Sequence, residues 1–182
     1  MQIFKTLTTA LAVLASMTSV VLSKPLATSQ ALQKRAPPTS ADIDSILTAH
    51  NVVRAKHNAP PLKWNQELGD FAYGWASKCS IAHSQASYGE NIAWRTKDWT
   101  QTVNAWYSEV SAYNYSNPGF STKTGHFTQV VWKNTKTIGC GASYCDNIQG
   151  VYYVCEYFPR GNVLYGGADP AIFFRTNVTA PA

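Results

Sequence analysis

The run Lys136-Thr-Ile-Gly-Cys-Gly-Ala-Ser-Tyr-Cys145, the linker Asp146-Asn-Ile-Gln-Gly150 and the run Val151-Tyr-Tyr-Val-Cys-Glu-Tyr-Phe158 decide the architecture of this chain. Both outer runs are rich in β-branched and aromatic residues, and turn formers separate them. They predict two strands of an antiparallel hairpin. A third strand is predicted over Asn91-Ile-Ala-Trp94. Further toward the N-terminus the apolar period changes. Ile43, Ile46, Leu47, His50 and Val53 recur at spacings of three and four. This predicts a helix from Ala41, capped by Ser40 and ending before Asn58-Ala-Pro-Pro61. A second helix follows Asn65, with Leu68, Phe71, Ala72, Trp75 and Cys79 on its buried stripe. A third begins at Asp98, which caps it, with Gln101 three residues on and Val103, Trp106, Tyr107 and Val110 on its apolar face. A short fourth helix is predicted from His126 to about Lys133. Helices and strands mix without βαβ regularity or internal repeats, which predicts an α+β fold with helices packed on an antiparallel sheet.

The N-terminus has a different character. Lys5 precedes an apolar stretch, Leu7 to Leu22, that is too short and too rich in Thr and Ser for a membrane span. A basic start, an apolar centre and small residues near the end read as a secretory signal over 1–23, cut after Ser23 or alternatively after Ala27. The dibasic pair Lys34-Arg35 lies in a Ser/Pro/Gln-rich tract. It marks 24–35 as a propeptide and 36–182 as the mature protein, starting at Ala36; an ordinary flexible linker is the competing reading. Charge follows this division. Of 15 basic residues, Lys5, Lys24, Lys34 and Arg35 precede residue 36, with no acidic residue among them. Eleven basic and ten acidic residues remain, a net charge of about +1. No basic run or basic–aromatic alternation points to a nucleic-acid partner.

Four cysteines, Cys79, Cys140, Cys145 and Cys155, in a secreted domain read as two disulfides with three pairings open. The Cys140-x4-Cys145 spacing matches no common zinc finger. Asn114-Tyr-Ser116 and Asn177-Val-Thr179 are glycosylation sequons, and Asn177, near the chain end, is expected to be accessible.

Four histidines are present. His50 lies on the core stripe of the first helix and reads as a buried structural residue. His57 lies at that helix's end, where it suits the dipole. His83 is followed by Glu90 in Tyr88-Gly-Glu-Asn-Ile-Ala-Trp94, and His126 opens Gly125-His-Phe-Thr-Gln-Val-Val-Trp132. Glu109 sits at the edge of the third helix's apolar face, so a partly buried carboxylate there needs a partner. Spacing alone leaves His126 open between a structural, a metal-binding and a catalytic role.

Four motifs in order narrow the choice. Gly125-His-Phe-Thr-Gln-Val-Val-Trp132 resembles one signature of the CAP superfamily (cysteine-rich secretory proteins, antigen 5 and pathogenesis-related proteins 1). Tyr152-Tyr-Val-Cys-Glu-Tyr-Phe-Pro-Arg-Gly-Asn-Val163 resembles a second. Residues 49–68 resemble the family's first helix and loop, and residues 83–94 its middle segment. The likeness covers about Asp42 to Gly166 and is strongest to secreted fungal members, which share Asn117-Pro-Gly-Phe120.

This resemblance implies a three-layer α-β-α sandwich over about 42–168. It implies a cleft tetrad of His83, Glu90, Glu109 and His126, with no cofactor required, although His83 and His126 could hold zinc or another divalent cation. It implies the disulfides Cys79–Cys145 and Cys140–Cys155. Tyr113, Tyr115 and Phe120 follow the aromatic spacing of a sterol-binding loop in fungal relatives, with Pro118 in the helix-breaking Asn117-Pro-Gly119. On that reading the three rings form a movable cover over an apolar ligand; packing of the rings on the domain's own core is the competing reading. A fatty-acid slot between helices is known in other members. The implied partners are sterols or fatty acids, and host or cell-wall proteins. The implied role is extracellular binding, export or sequestration of small lipids, in virulence or in defence against host lipids. Two alternatives stand beside it: a divalent-metal-dependent hydrolase or protease using the tetrad, and a protein-binding effector. Ser84 and Thr128 are the hydroxyls nearest the histidines in sequence, and neither carries an activating motif. One departure is notable. The second signature usually has a neutral polar or basic residue after its cysteine. Here it is Glu156, expected on the opposite strand face from Cys155, toward solvent.

Overall fold

The computed structural model describes residues 36–164 and 166–182. The signal and propeptide expected over 1–35 lie outside the described residues. The elements, in order, are α1 (Ser40–Lys56), β1 (Lys63–Trp64), α2 (Gln66–Ala76), β2 (Gly89–Trp94), α3 (Trp99–Ser108), α4 (Gly125–Val131), β3 (Thr137–Cys145), β4 (Gly150–Phe158) and α5 (Ile172–Asn177), with a 3₁₀ turn at Glu109–Ala112 after α3. Among the described residues no helix is long and apolar enough to cross a membrane.

The hairpin forms the sheet's centre. β3 and β4 pair antiparallel from Thr137↔Phe158 to Cys145↔Gly150, and β2 adds antiparallel to β4. The strand order is β1-β3-β4-β2. One detail departs from an all-antiparallel sheet: the two-residue β1 pairs with β3 in parallel. Strand alternation divides the side chains. Val151, Tyr153, Cys155 and Tyr157 join the larger core with Ile46, Val103, Trp106, Phe127 and Val131 of α1, α3 and α4. Tyr152 and Val154 face the other way, onto Ala72 and Ala76 of α2. The result is an α-β-α sandwich.

The helix ends follow local chemistry, with corrections. Thr39, not Ser40, caps α1, in a capping box with Asp42. Asn65 caps α2 through Leu68 N–H, and Asp98 caps α3 through Gln101 N–H. α2 ends at Ala76, so Cys79 lies beyond it. Phe71, expected on the buried stripe, is exposed. α2 lies so close to β3 that a Cβ at Gly141 would come within 2.3 Å of Tyr73 backbone. That proximity explains why small residues carry this contact.

Three buried polar side chains pin α1. Arg54 is fully buried and donates to the carbonyls of Pro60, Val130, Trp132 and Thr135. These bonds tie α1 to the end of α4 and replace the water its charge gave up. His50 bonds Ile46 O and the Tyr157 hydroxyl, and burial lowers its pKa to about 4. His57 stands at the end of α1, as expected, and caps it. It is buried between Thr179 O and the Tyr107 hydroxyl, and burial lowers its pKa. Residues after 168 belong to the packed body: Phe174 packs edge-on to Trp132, and Ala182 N–H reaches Lys56 O. Cys79 is bonded to Cys145 and Cys140 to Cys155. Each cross-link contributes roughly 2–4 kcal/mol.

Candidate functional site: a cleft with two histidine–glutamate arms

The first arm hangs on the sheet edge. Glu90 lies in β2, and its Oε1 accepts from His83 Nδ1 at 2.5 Å. The Ser84 N–H reaches both carboxylate oxygens at 3.0 and 3.1 Å. The Glu90 side chain is 7% exposed and that of His83 is 53% exposed. The hydrogen bond to the Glu90 carboxylate raises the His83 pKa. Burial works against ionisation of Glu90, but the hydrogen bonds from His83 and Ser84 and the facing Glu156 carboxyl outweigh it and hold the carboxyl below its usual range.

The second arm is a helix cap. Glu109, on the 3₁₀ turn, accepts from His126 Nδ1 at 2.6 Å. Its Oε2 takes the backbone N–H groups of His126 and Phe127 at 3.0 and 3.1 Å. Thr124, the residue before α4, makes no side-chain cap, so Glu109 serves in its place. The His126 ring stacks on Trp106 at 6.2 Å.

A cleft of about 380 Å³ adjoins only the first arm. His83, Ser84 and Glu90 form one wall, Gln129 lies at the base, and Tyr88, Phe120, Arg160 and Leu164 complete the lining. His126 and Glu109 do not line it. The base is tightly built. Gln129 is buried, its Oε1 accepts from Gly161 N–H at 2.9 Å, and its Nε2 donates to Thr135. A Cβ at Gly89 would come within 2.1 Å of Gln129, so only glycine fits there. Asn91 ties this region to the second arm, donating to His126 O and the Tyr157 hydroxyl.

Each imidazole gives Nδ1 to a glutamate, which orients the ring and leaves Nε2 as the one nitrogen it could offer a metal. Among the described residues no three His, Cys, Asp or Glu side chains gather to hold a metal. That falls short of the three protein ligands of a catalytic zinc site. The hydroxyls of Ser84 and Thr128 bond to no histidine among the described residues. Thr128 is buried and donates to Asn162 at 2.6 Å.

The aromatic segment is arranged differently from a three-ring cover. Tyr113 is 8% exposed and packs edge-on against Tyr115 and Phe127, at 4.9 and 5.4 Å. Tyr115 is half-buried, and burial raises its pKa to about 12. Only Phe120, 49% exposed, stands out to solvent; Pro118 is half-buried. The sequons also separate. Asn114 is exposed, and its Oδ1 accepts two backbone N–H groups in its own turn. Asn177 is not accessible as expected. It is 2% exposed, and the nitrogen a glycan would need donates to Phe173 O.

Sequence reasoning passed over Arg54, Gln129 and Arg160, and misplaced Glu156. Glu156 does point away from Cys155, but it is fully buried, and among the described residues neither of its oxygens has a hydrogen bond of good geometry. It stands directly opposite Glu90 in the β2–β4 register, with Gly139 on its other side. Burial, then the Glu90 carboxylate, pushes its pKa up to about 10, so it is protonated at neutral pH.

The chain's likeness to known proteins agrees with this geometry. The cysteine-rich secretory protein (CAP) family matches residues 47–157, and the chain belongs to it. Protein PRY2 of Saccharomyces cerevisiae is 44% identical over 130 residues, covering 69% of this chain and 39% of that protein. Secreted protein RBT4 of Candida albicans is 41% identical over 134 residues, covering 69% and 36%. The chain thus matches less than half the length of either curated fungal relative. Among solved structures, NaASP2 with Zn²⁺ aligns at a TM-score of 0.63 and 22% identity, over 80% of this chain and 88% of that one. This last likeness concerns the fold alone.

Proposed function

We propose that this CAP-domain protein is a secreted binder of sterols or related small apolar lipids, which it sequesters or carries outside the cell, in virulence or in defence against host lipids. Lipid contact falls to Phe120 at the cleft rim. The observation that carries this reading is the division of labour in the aromatic segment. Tyr113 and Tyr115 anchor it in the core, and Phe120 is held half-exposed on the lining of a cavity. A fixed apolar ring beside a concave surface binds a flat apolar ligand without first ordering a loop. Secretion fits the signal-like N-terminus and a relative named as a secreted protein.

The test is saturation binding of labelled cholesterol and ergosterol to the secreted protein and to two variants. Phe120→Ala should weaken binding about tenfold or more while leaving the melting temperature unchanged. Tyr115→Ala should lower the melting temperature as well. Absence of saturable binding by the wild type, or full binding by Phe120→Ala, overturns the reading.

A further inference from the structure

Exposed apolar surface is concentrated around the cleft. Among the described residues seven large hydrophobic side chains are the most exposed: Val52, Phe71, Trp94, Phe120, Phe158, Leu164 and Ile172. Phe120 and Leu164 line the cavity. Phe71 and Phe158 flank the lining residue Tyr88 edge-on, at 5.5 and 6.4 Å. Four of the seven therefore line the cavity or pack on a residue that lines it, and together they give it an apolar margin. Such concentration marks a binding surface, whereas scattered exposure does not.

The charged side chains of this cleft do not pair with each other. Glu90 is almost wholly buried, and its oxygens are taken by His83 and Ser84. Arg160 is the other formally charged lining residue. It is exposed, and among the described residues its guanidinium has no hydrogen bond or ion pair. Its backbone is nonetheless fixed on both sides: Thr135 donates to Pro159 O, and Gly161 N–H donates to Gln129. A free guanidinium on a rigid loop at an apolar margin is pre-organised for a planar anion.

We propose that the cleft selects amphiphilic anions: a carboxylate or sulfate head against the Arg160 guanidinium, with the apolar body across Phe120 and Leu164. This rests on the lipid-binding reading above and narrows it to acidic lipids. A volume of about 380 Å³ lies near the lower end of the roughly 300–1,000 Å³ usual for ligand sites. It accommodates a head and part of a body, and the remainder lies over the exposed rings.

Cholesterol and cholesterol sulfate share one ring system and differ in head charge, so paired equilibrium binding isolates Arg160. The wild type should bind the sulfate about tenfold tighter, and the advantage should shrink in high salt. Arg160→Gln should lose that advantage and keep its affinity for cholesterol and its melting temperature. Arg160→Lys should retain part of it, because the charge stays while the planar fork is lost. Competition by oleate would show that a carboxylate on a flexible chain is also accepted; displacement by oleate that is insensitive to Arg160→Gln counts against the proposal. Equal binding of both sterols, or an unchanged ratio in Arg160→Gln, overturns the anion site and leaves the lipid reading standing. Failure of both sterols and oleate to bind the wild type overturns both.

Discussion

The two histidine–glutamate pairs have the same chemistry and opposite settings. In each, a glutamate holds a histidine by Nδ1, at 2.5 and 2.6 Å. Yet Glu109 spends its second oxygen on two backbone N–H groups and so starts a helix, whereas Glu90 stands at a sheet edge facing another carboxyl. The Glu109–His126 pair is therefore part of the scaffold. The Glu90–His83 pair borders the cleft and is electrically delicate. Residue identity does not separate these roles; the backbone groups and the second carboxyl around each pair do.

The largest effect is expected on the scaffold side. Glu109→Ala strips the cap from α4 and leaves the His126 and Phe127 N–H groups without acceptors. Leaving such groups unsatisfied costs about 1–3 kcal/mol each. A loss of roughly 2–4 kcal/mol in denaturant unfolding is expected, and a loss under 0.5 kcal/mol would remove Glu109 from this role.

Next comes Glu156. Its folded pKa, about 10, lies above the ordinary carboxylate value of 4.5. The folded state therefore keeps a proton that the unfolded chain releases. Stability from this group is greatest below pH 4.5 and is lost as pH rises toward 10. Glu156→Gln keeps a neutral donor toward Glu90 and removes the ionisation. Unfolding measured from pH 4 to 9 should show the variant gaining on the wild type as pH rises, by about 1 kcal/mol or more at pH 8. Parallel curves would mean that Glu156 is not a proton-holding partner of Glu90.

A smaller effect sharpens the cleft side. Glu90→Gln should bring the raised His83 pKa back toward 6.5, followed by the imidazole NMR shifts; an unchanged titration would show that Glu90 does not set it. The pair's contribution runs with pH in a definite direction. With the His83 pKa raised, its stabilisation is fully present below pH 6.5 and is lost as pH rises through the folded value. With the Glu90 pKa lowered, its stabilisation is present above 4.5 and is lost as pH falls through the folded value. The smallest expected effect concerns neither arm's stability. Glycopeptide mass spectrometry of folded, secreted protein should find sugar at Asn114 and none at Asn177. Full occupancy at Asn177 would contradict its buried, bonded amide.

Much of the frame was legible from local pattern. Alternating β-branched and aromatic residues marked β3 and β4, Asp98 and Asn65 marked helix starts, and the ordered motifs pointed to the CAP family. The misplacements share one cause. Phe71, Glu156 and Asn177 each take their expected surface or core position from sequence neighbours. Strand alternation correctly turned Glu156 away from Cys155. Whether that direction meets water or α2 depends on a helix that starts ninety residues earlier in the chain. Phe71 shows the converse: a helical stripe wide enough to include it is wider than the sheet surface that α2 covers.

The sequence alone therefore determined the order of elements, the family and the residues able to bear charge, because these follow from local propensity and motif spacing. Only the tertiary structure decided which glutamate is a cap, which is a neutral buried acid, which aromatic ring meets solvent and that Arg160 stands at a cleft with no partner among the described residues. Those properties are set by burial and by hydrogen-bond partners, and both come from segments that are far apart in the chain and adjacent only once it has folded.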